Sequence, residues 1–360
     1  MAAGTAPSPA AATLPAEAVA PDPAEGTDDT ADDGEDGDEG DGEAEAHTGD
    51  AAPKSDDHLY TSDISDADLE KLWKENRKAL EPISVGFTDA GRLINGERFP
   101  ADGPWVVVDP PHTYGTRETN DYLIAAIRAV DSDFPGGPPA RLNHIGAEEG
   151  GYLRPHHSHQ AGRDVDIGFY YRNDPPARVA SRAKYMDLER NWSLIRSIVT
   201  LTDVQFILVD RSIQKVLFDY ALSRGEDRGW LDSLFHAGSN SILKHARHHR
   251  DHFHVRFYNP RAQELGRRIQ PLLAKSKDEH SIVQHHIRQG DSLGRIAVHY
   301  GVSITALKKA NGLKSAAIRA GRVLLVPVRG ACVNCPIPPP VIVPPRRLPP
   351  EKAEGLSLNE

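Results

Sequence analysis

The chain has 360 residues and a mass of 39.3 kDa, which at roughly 150 residues per domain suggests about two domains with extensions. Two Cys exclude a disulfide-dense scaffold, and no apolar run approaches the ~20 residues of a spanning helix. The net charge of -10 is local, because residues 1–53 hold Asp and Glu without any Lys or Arg; the body from Lys54 onward is mildly basic and shows no stripe suited to nucleic acid.

Residues 1–56 form an acidic leader in which Asp and Glu alternate with Gly and Ala. Such a stretch buries too little apolar surface to offset its ordering entropy, so a disordered spacer or processed leader is expected. No basic segment precedes its weakly apolar start, and no clear secretory signal is visible as written. Order is expected from Asp57. Ser65–Arg77 reads as a helix with Ser65 as a candidate N-cap and Asp68 completing a capping box, Ser62 being a competing cap. Trp105-Val-Val-Val-Asp109 reads as a strand ended by Pro110 and Pro111. Leu123, Ile127 and Val130 place one apolar face on a helix over Thr119–Val130, and the prolines and glycines of 134–139 force a loop. Trp192–Val199 predicts a helix, Val204–Val209 a buried strand, Ser212–Ala221 a helix and His252–Phe257 a strand. Helices mixed with non-repeating strands argue for an α+β domain over 57–274 rather than a doubly wound sheet.

A link over 275–282 leads to a second unit at 283–328. Val283–Arg288 predicts a strand, Leu293–His299 a helix, Ser303 the N-cap of a helix over Ile304–Asn311, and Val323–Val328 a closing strand. This βααβ order, with Ile287-Arg-Gln-Gly-Asp-Ser-Leu293, Ile296-Ala, Tyr300-Gly-Val, Asn311-Gly-Leu and Gly321-Arg-Val-Leu-Leu-Val-Pro327, resembles a LysM module. The resemblance implies binding to N-acetylglucosamine-containing glycan and so attachment to peptidoglycan. Residues 329–360 form a Pro-rich tail. Its Cys332 and Cys335 supply only half of a four-ligand zinc site, which favours a disulfide or free thiols over metal.

Chemistry concentrates in two clusters. One is His156-His-Ser-His159-Gln-Ala-Gly-Arg-Asp164-Val-Asp166; the other is His245 with His248-His249-Arg-Asp251-His252-Phe-His254-Val-Arg256. Imidazole nitrogens and carboxylate oxygens suit a borderline ion such as zinc, and three protein ligands with one open position permit catalysis. Period two puts His252 and His254 on one strand face and Phe253 on the other, and Asp164 and Asp166 share a face if their segment is extended. No His-Glu-x-x-His helix and no Gly-x-Ser-x-Gly elbow is present, so neither a helical zincin nor a serine nucleophile is on offer. A lone His is more often a surface or hydrogen-bonded residue; the combined pattern carries the reading.

His159–Asp166 joined to His252-Phe-His254 resembles the penicillin-insensitive murein endopeptidases, relatives of lysostaphin-type and D-Ala-D-Ala carboxypeptidase metalloenzymes. The likeness runs approximately from Trp105 to Leu272, through Tyr114-Gly-Thr116, Gly150-Gly151 and Val209-Asp210. It implies an α+β zinc peptidase with a small central antiparallel sheet and zinc ligands His159, Asp166 and His254. It further implies His252 as catalytic histidine, with His156 and His249 as additional active-site histidines. The implied reaction is hydrolysis of peptidoglycan peptide cross-links, in particular D-alanyl to meso-diaminopimelyl bonds, in the periplasm or at the cell wall. Proton transfer and oxyanion stabilisation stay open as roles for His252, and alternate ligation or substrate positioning for His156. Asp164 and Asp251 are candidates to orient imidazoles, with local turn bonds or surface ion pairs as equal alternatives. Arg163 and Arg256 are candidates to meet substrate carboxylates, a structural salt bridge being preferred; His157 is expected to face solvent. The region lacks the disulfides common in family members from the Gram-negative periplasm. The alternative function is a catalytically inactive peptidoglycan-binding scaffold; a metal-storage or sensory protein would leave the LysM module unexplained.

Overall fold

The computed structural model describes residues 64–153, 156, 158–172, 182–247, 249–275, 280–329 and 337–351. The acidic leader, His157, His248, Cys332 and Cys335 lie outside them. Among the described residues no helix is long and apolar enough to cross a membrane.

The chain opens with α1 (Asp66–Glu75), where the Ser65 side chain accepts the Asp68 N–H at 3.1 Å as the capping pattern requires. A hairpin of β1 (Ile83–Gly86) and β2 (Gly91–Ile94) follows, then β3 (Glu97–Arg98), β4 (Trp105–Val107) and β5 (Tyr114–Gly115). Helix α2 (Arg117–Asp133), capped by Thr116, leads to β6 (Ala140–His144) and β7 (Asp164–Gly168). Next come α3 (Leu188–Leu201), β8 (Val204–Val209), α4 (Arg211–Ser223), α5 (Arg228–Phe235), β9 (Leu243–His245), β10 (His252–Phe257) and α6 (Pro260–Lys275). The last unit comprises β11 (His280–His286), α7 (Leu293–Tyr300), α8 (Ile304–Ala310) and β12 (Val323–Arg329). Strand β11 thus begins inside the stretch that the sequence marks as a link.

Six strands form the main sheet in the order β4-β6-β7-β10-β8-β9. Its centre, from β6 to β8, is antiparallel, while β4 and β9 run parallel to their neighbours at the edges. The fold is α+β, as the mixture of elements predicts. Alternation divides the two central strands cleanly. Val165, Ile167, Phe253 and Val255 enter a core with Leu123 and Ile127 of α2, Ile195 and Ile198 of α3, and Leu217 of α4. Burying each such side chain stabilises the fold by about 1.5–3 kcal/mol. The polar residues of the same strands are thereby turned to the other face of the sheet.

A smaller core joins α1, β1 and α6 through Leu69, Trp73, Ile83, Leu265 and Ile269. The α6 N-terminus is closed by Glu118 of α2, which accepts the Arg261 and Ala262 N–H groups at 2.9 and 3.0 Å. The βααβ unit has its own core of Ile287, Leu293, Ile296, Leu307, Leu324 and Val326.

Candidate metal centre

Strands β7 and β10 pair so that His254 faces Asp166 and Arg256 faces Asp164, while β6 brings His144 against Asp166 from the other side. His159 arrives from the loop before β7 in an unusual conformation. Its φ of 68° lies in the left-handed region, which costs a non-glycine residue of order 1–3 kcal/mol and persists only when surroundings over-determine it. They do so here: its backbone N–H donates to Asp164 Oδ2 at 3.2 Å, and its Nδ1–H donates to the Ile145 carbonyl at 3.0 Å. The second bond fixes the tautomer and leaves Nε2 as a ligand atom. Three residues on, Gly162 has φ 71°, and a Cβ there would meet Leu93 Cδ1 at 2.8 Å, so glycine alone makes this approach without strain.

Three donor atoms converge. His159 Nε2 stands 3.3 Å from Asp166 Oδ1 and 3.3 Å from His254 Nδ1, and His254 Nδ1 is 3.0 Å from Asp166 Oδ1. Ligands at zinc bond lengths and tetrahedral angles stand about 3.3–3.4 Å apart, so the triangle has the dimensions of one face of a tetrahedral site. All three side chains are almost fully buried, and these residues form a group that can hold a metal ion. The electrostatics agree. Burial alone would keep His159 neutral, but the Asp166 carboxylate favours positive charge at this spot and raises it to about 9, so that a metal ion would take the place of the imidazolium proton. Burial likewise opposes the Asp166 charge, yet His159 and the surrounding ring nitrogens hold it well below the usual carboxylate range. The residues therefore fit a divalent cation with nitrogen and oxygen ligands.

Around this triangle lie partly exposed histidines. His252 Nε2 is 3.9 Å from Asp166 Oδ1, and its Nδ1–H donates to Asp251 at 2.7 Å. Burial works against charge on His252, but the Asp251 hydrogen bond together with the Asp166 and Asp251 charges outweighs it and raises its pKa. His249 packs against His252 with ring centroids 4.8 Å apart, and its Nδ1–H donates to the Arg247 carbonyl. Burial pushes His249 down. His156 Nδ1 lies 3.4 Å from Asp166 Oδ2, and burial together with the charge on His159 lowers its pKa to about 3.

The six histidine and aspartate positions that the family resemblance singles out are thus brought together. Asp164 does not face the cleft: it is fully buried, forms a two-pronged ion pair with Arg256 at 2.6 and 2.9 Å, and orients His159 through its backbone. Arg256 takes the structural salt-bridge assignment, and Arg163 is equally buried. Asp251 orients an imidazole, that of His252. His245 stands outside the cluster, accepting the Arg211 N–H at 3.0 Å.

Sequence reasoning missed His144, Asp109 and His112. His144 Nδ1 lies 3.8 Å from Asp166 Oδ2 and its Nε2 3.3 Å from Asp109 Oδ2, which also takes His112 Nδ1 at 2.7 Å. His144, His156 and Asp166 form a second group of metal-competent donors. Period two along Ala140–His144 would put His144 on the core face with Leu142, but a register shift between them sets Leu142 opposite Ile167 in the core and His144 opposite Asp166 on the polar face, so simple alternation gave no signal for it.

A family model described as penicillin-insensitive murein endopeptidase matches residues 84–284, more than half of the chain. A second, described as LysM domain, matches residues 285–327. No curated protein matches the chain.

Proposed function

Because the chain belongs to the penicillin-insensitive murein endopeptidase family, and is thereby a peptidoglycan-cleaving hydrolase with a LysM module, we propose that it is a zinc-dependent endopeptidase of peptide cross-links. The bond proposed is that from D-alanine to meso-diaminopimelate, in a wall outside the cytoplasm, with the LysM module attached to N-acetylglucosamine-containing glycan. The observation that carries zinc dependence is the triangle of His159 Nε2, His254 Nδ1 and Asp166 Oδ1, with edges of 3.0–3.3 Å.

His159, Asp166 and His254 would hold the ion. A zinc ion there supplies Lewis acidity to the scissile carbonyl and lowers the pKa of water. The chain's own groups do the rest. Asp251 holds the Nδ1–H of His252, so its Nε2 side is aimed at the cleft beside Asp166; from there His252 donates a proton or a hydrogen bond to charge developing on the substrate. His249, with its Nδ1–H committed to the Arg247 carbonyl, presents Nε2 as the basic nitrogen and takes up a proton. Two neighbouring imidazoles with opposed environments divide acid and base work in this way. His156, at the cleft edge beside Asp166, positions substrate.

The test is incubation of zinc-loaded protein with defined cross-linked peptidoglycan dimers, with and without chelator, and identification of products by mass spectrometry. Chelator-sensitive conversion to monomers cut at the D-alanyl bond is expected. Binding to wall without cleavage by zinc-loaded protein would overturn the enzymatic reading in favour of an inactive scaffold.

A further inference from the structure

The Pro-rich tail has no role in the murein reading, yet it is built into the body of the protein. Within residues 337–351, Arg346 and Arg347 reach α5, the turn after it and Asp203 just before β8. Trp230 Nε1 donates to the Arg347 carbonyl at 2.8 Å, while the Arg347 guanidinium donates to the carbonyls of Ser233 and Asn240. Ser233 lies in the last turn of α5, where carbonyls lack helical partners and carry the negative end of the helix dipole. The guanidinium fork suits two such acceptors at once. Arg346 pairs with Asp203 at 2.8 Å, and the other oxygen of Asp203 accepts the Tyr122 hydroxyl at 2.7 Å. Val341 is buried.

Proline makes this economical. A segment rich in Pro is already extended before docking and loses little entropy on binding, and its missing N–H groups need no partner. A few side-chain clamps therefore suffice to hold it.

The LysM module lies between this docked segment and the peptidase body in the chain. It enters from α6 at β11 and leaves from β12, with residues 330–336 leading to the tail. A third tie comes from Gln284 of β11, whose Nε2 donates to the Asp89 carbonyl at 2.8 Å in the β1–β2 turn. The same carbonyl accepts Gln160 Nε2 at 2.6 Å, next in sequence to His159.

We propose that the C-terminal Pro-rich segment is an intramolecular clasp that secures the LysM module at both of its ends, so that the glycan-binding unit is carried in a set pose relative to the metal centre. A module on a loose tether searches a volume fixed by its linker, whereas a clasped one delivers the catalytic cleft to a set distance from the glycan it holds. The consequence for wall cleavage rests on the murein endopeptidase reading; the clasp itself does not.

The test uses the full chain with Arg347→Lys, which keeps the charge and the tryptic site but loses the fork, and with Asp203→Asn. Tryptic cutting after Arg346 and Arg347 follows the population in which the segment is released. Wild type resists trypsin there, and Arg347→Lys is cut about tenfold faster, the change expected for one charge-assisted hydrogen bond. Small-angle scattering shows a larger radius of gyration for both variants. Both turn over soluble cross-linked dimers like wild type but lose activity on intact sacculi. Wild type cut as fast as a free peptide of the same sequence, or variants unchanged in both proteolysis and scattering, would overturn the clasp. An equal loss on dimers and sacculi would overturn its role in delivery. If wild type cleaves no dimer the murein reading fails, while proteolysis and scattering still decide the clasp.

Discussion

His254 sits directly opposite Asp166 across the β7–β10 ladder, and its Nδ1 approaches Asp166 Oδ1 to 3.0 Å. The backbone pairing that holds the sheet together therefore sets the spacing of two of the three donors in the buried triangle. Only His159 has to be brought in from a loop, which explains why its conformation is pinned by two hydrogen bonds from different parts of the chain.

His159→Ala, Asp166→Ala and His254→Ala are each expected to lower zinc occupancy by about tenfold or more, since loss of mere supporting partners already costs 10–100-fold in affinity. Turnover falls with occupancy. Chelation of the wild type lowers its melting temperature, and zinc restored to about 100 times its dissociation constant returns about 2.7 kcal/mol of stability. Metal content by elemental analysis, measured beside thermal melts, checks both; full occupancy in any of the three variants would remove that residue from the ligand set.

His252→Ala is expected to keep its zinc and lose turnover by about 10²–10⁴-fold, the range for a positioned proton-transfer group. The separation between metal content and rate is the informative readout. Loss of both together would make His252 a ligand.

Asp164 and Arg256 form a fully buried pair, and breaking such a pair by removing one partner costs about 3–5 kcal/mol because the other charge is left uncompensated. Arg256→Met and Asp164→Asn should each show this loss in urea unfolding, and the double variant should be less destabilised than the sum. The pH dependence follows from the sign of the shift. Burial opposes the Asp164 charge, but Arg256 holds its carboxyl well below the usual value of 3.8. The pair's contribution is therefore full above the unfolded carboxylate range and is lost as the pH falls toward the depressed value. The double variant should lose less stability than wild type on acidification below pH 3.8.

Asn311 holds the LysM unit together: its amide donates to the Leu307 and Leu325 carbonyls, each at 2.7 Å, and accepts the Leu325 N–H at 2.8 Å. Asn311→Ala leaves buried backbone groups unpaired, at about 1–3 kcal/mol. Glycan binding by this variant should weaken while zinc content stays at the wild-type level, which pull-down on insoluble peptidoglycan and metal analysis would show.

Legibility in the sequence tracks how locally each feature is encoded. Val204–Val209 and His252–Phe257 match their predicted spans because apolar and β-branched residues with clear bounds mark them. The two clusters of His and Asp were visible because period two places their members on shared faces. Strand β6 was missed, since Ala-Arg-Leu-Asn-His holds no β-branched or aromatic residue besides the terminal imidazole, and His144 went unread with it. Helix α6 carries Pro271 in its interior, which reads as a stop. The pairing of Arg256 with Asp164 and the docking of Arg347 on α5 join residues 92 and more than 100 positions apart. Contacts at that range depend on the finished sheet and leave no local periodicity to find.

The alternation along β7 and β10 also guards against misassembly. A slip of one residue in β10 would exchange its faces, turning Phe253 and Val255 toward the cleft and delivering imidazoles and a guanidinium to the apolar core, and a slip of β7 would do the same with Val165, Ile167 and the two aspartates. The helices that cover that core would reject such a chain on hydrophobic grounds alone, before any ion or substrate arrived. The oily side of the sheet thus acts as the inspector of the polar side, and a molecule that has folded at all has already aligned the His and Asp residues of that face.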